Sequence, residues 1–498
     1  MIVTAVPDDR RPTRDYDSIF IGGRWTVPHS PRRLDVTSPA TGDYVGSTPL
    51  SDEQDVDAAV RAARRAFDDG TWSATPPSQR ADLLDHVAEA LERAKGEVLA
   101  LVSDEMGASP STVEMMQFLS AVGSLRTYAQ VSRDYPWSEL RNGLFGTLEV
   151  TREPVGVVGA ITAWNVPLFL MMNKLGAALA AGCSVILKPA AETPLCANWV
   201  GELFARCGLP AGALSVVPGD AETGAALVRH PEVDKISFTG STAAGKAIGV
   251  ECARQFKRCA LELGGKSAAI ILKDADIAAL APMIVFSGLM NSGQACVAQS
   301  RILVPRTRRE EIVAALVSAA SAMKVGRPDD PAAQLGPLIS ETQRNKVESY
   351  ISSAKLAGAT AVLDGGRPEG LDAGYYLEPT IFTDVTNDMV IAREEVFGPV
   401  LAVIDYDTEA EAIAIANDSP YGLAGSVWTN DVEHGREIAS AIRTGTFGIN
   451  IYANDPSSPF GGYKQSGIGR ENGPEGLEAY LEFKSTMLPL GYQPVSNA

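Results

Sequence analysis

The sequence predicts an α/β protein built on a doubly wound parallel sheet, with a second α/β unit following it. Three observations carry this reading. From about 151 to 275, short β-rich runs recur: VGVVGAI (155–161), SVILK (184–188), LSVVPG (214–219), KISFTG (235–240), ALEL (260–263) and AAIIL (268–272). Between them lie helical patterns such as PLFLMMNKLGAALAAG and PLCANWVGELFARCG, long enough to serve as crossovers. The strands are apolar throughout, as strands covered on both faces are. A sheet of this kind binds its ligands at the carboxyl ends of the strands.

The remaining elements follow in order. The start, MIVTAVPDDRRPTRDYDS, reads as a loose leader that tightens at FIGGRWTV, and the first 150 residues read as mostly helical. SDEQDVDAAVRAARRAF has Ser51 and Gln54 at capping-box spacing, with Val56, Val60, Ala63 and Phe67 on one face. SQRADLLDHVAEALERAKGEVL repeats the pattern through Leu84, Val87 and Leu91. A second α/β stretch runs from about 276 to 445, whereas 132–151 and the tail after about 480 fit neither unit. The Gly- and Ser-rich stretch 456–474 is either a structured turn region or a loop over a site, and 491–498 is too polar to pack reliably.

Composition excludes several classes. The formal charge of −18 repels phosphate backbones, and no basic cluster exceeds short pairs such as Arg308-Arg309, so nucleic acid is not an expected partner. No apolar run reaches the ~18–20 residues of a membrane span, and the start lacks the pattern of a signal peptide. The six cysteines form no Cys-x-x-Cys pair and no zinc spacing, so no metal is expected. Cys183, Cys196, Cys207 and Cys259 read as buried reduced thiols, which fits a cytoplasmic protein.

Two local patterns point to chemistry. FTGSTAAGKA follows a strand and precedes a helix, where phosphates bind. It reads Gly240-x-x-x-x-Gly245-Lys246, but Ala247 stands where a P-loop NTPase needs Ser or Thr to hold Mg²⁺. The Gly-x-Gly-x-x-Gly fingerprint is also missing, and a plain tight turn is the bland alternative. The second pattern is NSGQACVAQSR (291–301), which carries Cys296 with no histidine nearby. A nucleophilic cysteine needs a base or a positive group. Glu262 in LELGGKS, at the end of a predicted core strand, is the better candidate, because desolvation raises a carboxyl toward neutrality. Taken alone, Cys296 would be a buried small residue.

Seven motifs occur in order: TAWNVP (162–167), LKPAAETP (187–194), SFTGS (237–241), LELGGKS (261–267), GQACVAQSR (293–301), EEVFGPV (394–400) and PFGGYKQSGIGRE (459–471). Together they resemble the NAD(P)-dependent aldehyde dehydrogenase superfamily, from FIGGRW to about residue 488. The resemblance implies a Rossmann-like cofactor domain (1–131 and 152–262), an α/β catalytic domain (263–465), and an oligomerisation arm with a C-terminal tail (132–151 and 466–498). It implies a homotetramer built from dimers, an aldehyde substrate and an NAD cofactor. Cys296 matches the family nucleophile, which forms a thiohemiacetal with the aldehyde. The amide of Asn165 and the cysteine N–H would hold the oxyanion. Hydride then passes to the nicotinamide, and Glu262 activates the water that hydrolyses the thioester. Lys174 and Glu471 align with a proton relay behind that glutamate, although a structural ion pair would look the same.

For the cofactor, the resemblance implies contacts from Ile161, Trp164, Lys188, Gly240, Ser241, Glu395 and Phe397. The substrate tunnel would be lined by Val166, Phe169, Leu170, Asn173, Val297 and Phe460. Three departures stand out. Ala191 sits where many NAD-preferring members carry Glu, with Glu192 one residue later, which leaves room for some NADP use. TAWNVP has Ala163 and Val166 where Pro and an aromatic are common. Asn173 stands where Trp is frequent. The last two imply a wider, less apolar tunnel suited to bulkier aldehydes. Competing functions are a CoA-acylating relative, a catalytically silent relative and the NTPase. Glu262 argues against the first, because thiolysis does not need that base, and Cys296, Asn165 and Glu262 together argue against the second.

Overall fold

The computed structural model describes residues 14–492. The leader before Arg14 and the last residues of the polar tail, 493–498, lie outside the described residues. Two large sheets organise the chain. The first has eight strands, in the order Gly467–Ile468, Arg258–Glu262, Lys235–Thr239, Val157–Ile161, Ser184–Lys188, Leu214–Val216, Ile19–Ile21 and Arg24–Thr26. Its five central strands are parallel, and antiparallel strands close both edges. The register aligns their carboxyl ends: Ile161 sits opposite Lys188, and Thr239 opposite Glu262. Chain direction over the sheet reverses between Val157–Ile161 and Lys235–Thr239, which opens a crevice at those ends.

The helix Pro167–Ala181 leaves the first of these strands and is buried along its whole length. Its near-continuous apolar sequence, PLFLMMNKLGAALAA, is what a helix enclosed on all sides requires. The second sheet has seven strands, in the order Thr360–Leu363, Thr380–Thr383, Val400–Tyr406, Arg301–Pro305, Ala268–Ile271, Gly425–Trp428 and Gly448–Ile449. Antiparallel strands Ser138–Gly143, Gly146–Pro154 and Leu481–Met487 form a separate small sheet.

Several expectations are corrected. AAIIL belongs to the second sheet, between Arg301–Pro305 and Gly425–Trp428, not to the first. An apolar run shows that a strand is covered, not which sheet it joins. The amino-terminal region also contributes strands: Arg33–Thr37 pairs with Tyr44–Pro49, and Ile19–Ile21 extends the first sheet. The helix cap shifts by one residue. Asp52 accepts from the N–H groups of Gln54 and Asp55, while Asp55 accepts from the Asp52 N–H at 3.1 Å. A carboxylate suits the positive helix end better than the Ser51 hydroxyl. Within the C-terminal stretch, Gly467–Ile468 joins the first sheet, and Leu481–Met487 joins the small one. Cys183 and Cys196 are buried, whereas Cys207 and Cys259 are partly exposed. Among the described residues, no helix is long and apolar enough to cross a membrane, and no group of three or more His, Cys, Asp or Glu could hold a metal ion.

Candidate active site

The Cys296 loop is shaped by residues that tolerate left-handed backbone. Asn291 and Ser292 have φ of 53° and 57°, and Gly293 has φ +73°. A Cβ on Gly293 would lie 2.0 Å from the Gly398 carbonyl oxygen, so only glycine fits there. Across from the loop, a Cβ on Gly265 would stand 2.2 Å from the Cys296 carbonyl oxygen. The double glycine of LELGGKS thus lets the end of the Glu262 strand lie directly against the cysteine loop.

Cys296, Asn165 and Glu262 line one cavity of about 210 Å³, with Trp164, Glu395 and Phe397. Asn165 Nδ2 donates to the Gln294 carbonyl at 3.1 Å, and its second N–H is committed to no acceptor among the described residues. The Asn165 carbonyl accepts from Asn291 Nδ2 at 2.9 Å and Gln117 Nε2 at 3.5 Å, and Gln117 Oε1 accepts from Leu168 N. The asparagine is therefore fixed on three sides.

Glu262 is buried, and its Oε2 has no hydrogen-bond partner. A Cβ on Gly461 would stand 2.6 Å from its Oε1, so the PFGGY glycine makes room for the carboxyl. Burial pushes the Glu262 carboxyl well above the ordinary range, and the Glu471 charge adds to this, opposed by Lys174 and Arg470. Burial likewise raises the Cys296 thiol, with Glu395 and Glu262 contributing in the same direction. Burial thus acts on both groups in the same direction, disfavouring their charged forms within one shared cavity.

Behind Glu262, Lys174 Nζ contacts Glu471 Oε1 at 2.5 Å and Ser237 Oγ at 3.1 Å. Glu471 also exchanges two backbone hydrogen bonds with Phe460, both 2.7 Å. This geometry brings the two ends of the PFGGYKQSGIGRE segment together, with Gly461 against Glu262.

The crevice continues into a cavity of about 590 Å³ lined by Ile161, Lys188, Ala191, Glu192, Asp220 and Phe238, among others. Its features suit a dinucleotide. Lys188 is buried, and burial pulls its ammonium down to about 8 against the opposing pull of Glu192 and Asp220. Such a buried cation favours a polar or anionic partner. Ser241 Oγ accepts from Ala244 N at 3.2 Å and opens the helix Thr242–Arg254, whose positive end faces the crevice. Lys246 is turned away and donates to Gln465 Oε1 at 2.9 Å, so the near-Walker pattern lacks its phosphate lysine as well as its hydroxyl. Glu395 Oε1 accepts from Gly265 N at 2.9 Å, and burial raises its carboxyl to about 7. Phe397 is held at φ 58° by Gln343 Nε2 on its carbonyl, and its ring meets Trp164 edge-on at 5.3 Å.

Val166, Phe169 and Leu170 form an apolar cluster with Met116 and Ala163. Val297 and Phe460 belong to the adjoining cluster, against which Met116, Cys296 and Tyr452 pack. Asn173 does not join either cluster. Its carbonyl accepts from Ser124 Oγ and its amide donates to Glu471 Oε2, one helical turn past Phe169. An amide on this enclosed helix needs polar partners, and these two supply them. Sequence reasoning missed Met116, Gln117, Ser124, Asn291, Gln343 and Tyr452. Met116 and Gln117 lie in a π-helix, Val113–Leu119, whose extra residue per turn aims them differently from an α-helix, and VEMMQFL carries no motif that shows this.

Comparison with known proteins agrees with this geometry. The aldehyde dehydrogenase family model matches residues 25–486. A geranial dehydrogenase of Castellaniella defragrans is 44% identical over 477 residues, 96% of this chain and 99% of that protein. A 3-succinoylsemialdehyde-pyridine dehydrogenase of a Pseudomonas species is 44% identical over 483 residues, with the same shares covered. The crystal structure of a Mycobacterium tuberculosis aldehyde dehydrogenase complexed with NAD+ is 56% identical and superimposes with a TM-score of 0.96, covering 97% of this chain and 100% of that one. A cysteine, an amide and a buried glutamate meeting at the mouth of a dinucleotide crevice, within a chain matched almost end to end, leave one conclusion: the protein belongs to the aldehyde dehydrogenase family.

Proposed function

We propose that the protein oxidises an aldehyde to its carboxylic acid with NAD+, with Cys296 as nucleophile and Glu262 as the base for hydrolysis. The supporting observation is the single cavity shared by Cys296, Asn165 and Glu262, with Glu395 and Phe397 on the cofactor side. The Cys296 thiol gives its proton to water as its sulfur attacks the carbonyl carbon, and the free N–H of Asn165 together with the Cys296 backbone N–H receives the developing oxyanion. One such donor contributes about 3 kcal/mol in comparable acyl-transfer sites. NAD+, when bound along Lys188, Ser241 and Glu395, supplies the acceptor for the hydride. Glu262 then takes a proton from the water that attacks the thioester on Cys296. Lys174 and Glu471 hold the charge behind it. Acid formation without CoA, measured alongside NADH, tests the reading, and an acyl-CoA product formed only with added CoA would overturn it.

NAD+ is the preferred cofactor in this reading, and the similar Mycobacterium protein was crystallised with it. Glu192 is exposed at the lip of the crevice, while Ala191 brings no charge. Ala191→Glu is expected to raise the NAD-over-NADP ratio of kcat/KM about tenfold, through repulsion of the extra phosphate. A ratio equal to that of the parent would remove position 191 from cofactor selection.

Val166 leaves the wall beside Phe169 and Leu170 less filled than an aromatic would, which favours aldehydes larger than acetaldehyde. Two similar proteins are named for geranial and for 3-succinoylsemialdehyde-pyridine. Aromatic and terpenoid aldehydes are expected to exceed acetaldehyde in kcat/KM by about tenfold or more. A series in which acetaldehyde leads contradicts this. A homotetramer built from dimers is the assembly in this reading. The small sheet leaves Leu144, Phe145 and Leu490 exposed at 90%, 71% and 86%, an apolar face suited to another copy. A reducing cytoplasm suits a protein whose function needs a free thiol.

A further inference from the structure

We propose that Asn173 and Ser124 form a reversible clamp on the carboxyl of Glu471, letting it take up and release a proton while Asn173 stays hydrogen-bonded to it in both states. The proposal rests on the role of Glu471 behind Glu262 given above. All four groups are enclosed: Ser124 is 0%, Asn173 1%, Lys174 1% and Glu471 5% exposed. Ser124 Oγ donates to Asn173 Oδ1 at 2.8 Å, and Asn173 Nδ2 donates to Glu471 Oε2 at 2.9 Å. The other oxygen, Oε1, faces Lys174 Nζ at 2.5 Å.

This arrangement fixes where a proton can go. Lys174 is a donor only, so a proton arriving on Glu471 must settle on Oε2, the oxygen facing Asn173. With Glu471 ionised, the amide N–H points at it. With Oε2 protonated, the new O–H needs an acceptor. A half-turn of the amide presents Oδ1 to it and directs Nδ2 at Ser124, whose hydroxyl then rotates to accept. In net, one O–H bond breaks at Glu262 and one forms at Glu471 Oε2. Asn is one of the few side chains that offer a donor and an acceptor of equal reach. An indole in this place could donate but never accept.

The surroundings hold the carboxyl still while the amide turns. Glu471 is tied to Phe460 by its own backbone, and the N–H of Asn472 donates to Tyr128 OH at 2.8 Å. Asn472 itself is fully buried at φ 63° and ψ 162°, a strained conformation the packing must impose. The charged and titratable groups facing this carboxyl are Lys174 from the enclosed helix, Glu262 from the sheet, Tyr128, Tyr480 and neighbouring Arg470. Lys235 lies beyond Lys174.

The test compares Asn173→Leu, Asn173→Asp and Ser124→Ala with the parent, following first-turnover NADH, steady-state kcat, aldehyde KM and the kcat–pH profile. Asn173→Leu is expected to keep first-turnover NADH and an aldehyde KM within about twofold while kcat falls about tenfold, inside the range attached to acid–base groups. Asn173→Asp adds a second carboxyl to the same enclosed site, so the rising limb of kcat should move about one pH unit upward. Ser124→Ala removes only a hydroxyl, keeps the fold, and should lower kcat with the same first-turnover behaviour. A tenfold rise in aldehyde KM with the parent pH profile would make Asn173 a tunnel residue and overturn the clamp. Glu262→Gln, run in parallel, separates the two readings. If it stalls the steady state while all three variants match the parent, only the clamp falls. If it matches the parent, the base role of Glu262 falls, and the clamp with it.

Discussion

Cys296→Ala is expected to abolish NADH formation, with a loss on the order of 10⁴-fold or more. No other cysteine can take over. Cys183, Cys196 and Cys252 are buried in apolar core clusters, and none of the remaining five lines the 210 Å³ cavity. The variant also isolates binding from chemistry. Removing one sulfur leaves the Gly265 approach and the Asn165 hydrogen bonds in place, so the dinucleotide should still bind and protect the fold against heat. Stopped-flow absorbance for the first turnover and a thermal shift with NAD+ check both halves. NADH formation near the parental rate would mean that the nucleophile lies elsewhere.

Glu262→Gln should separate the two halves of the reaction. First-turnover NADH should persist, because attack and hydride loss do not need a base for water, while steady-state turnover falls about 10²-fold or more. The sign with pH follows from the raised carboxyl. Burial and Glu471 favour its protonated form, so the working carboxylate gains population as pH rises, and kcat rises with it. The glutamine variant should lose that limb from the steady state. Quenched-flow detection of an acylated enzyme, together with the kcat–pH profile, measures both effects. A steady-state rate equal to the parent at every pH would exclude Glu262 as the base.

Much of the site was legible because its residues terminate strands. Ile161, Lys188 and Glu262 end apolar strands, the register aligns those ends, and the Gly240 N–H donates to the Glu262 carbonyl beside them. Cys296 was legible through its motif, although nothing near it in sequence supplies a base. What stayed hidden depends on partners distant in sequence. Asn173 meets Glu471 across 298 positions and Ser124 across 49, and no local pattern encodes either contact. Gln117 reaches Asn165 through a π-helical turn that looks like any short helical stretch. The assignment of AAIIL to the wrong sheet has a related cause, since strand order is decided by packing between segments more than a hundred residues apart.

The paired backbone bonds between Phe460 and Glu471 join a residue of the apolar cluster beside Cys296 to the acid paired with Lys174. A smaller side chain at position 460 is therefore expected to alter the speed of acid release along with the choice of guest, and kcat and KM measured on one variant check both.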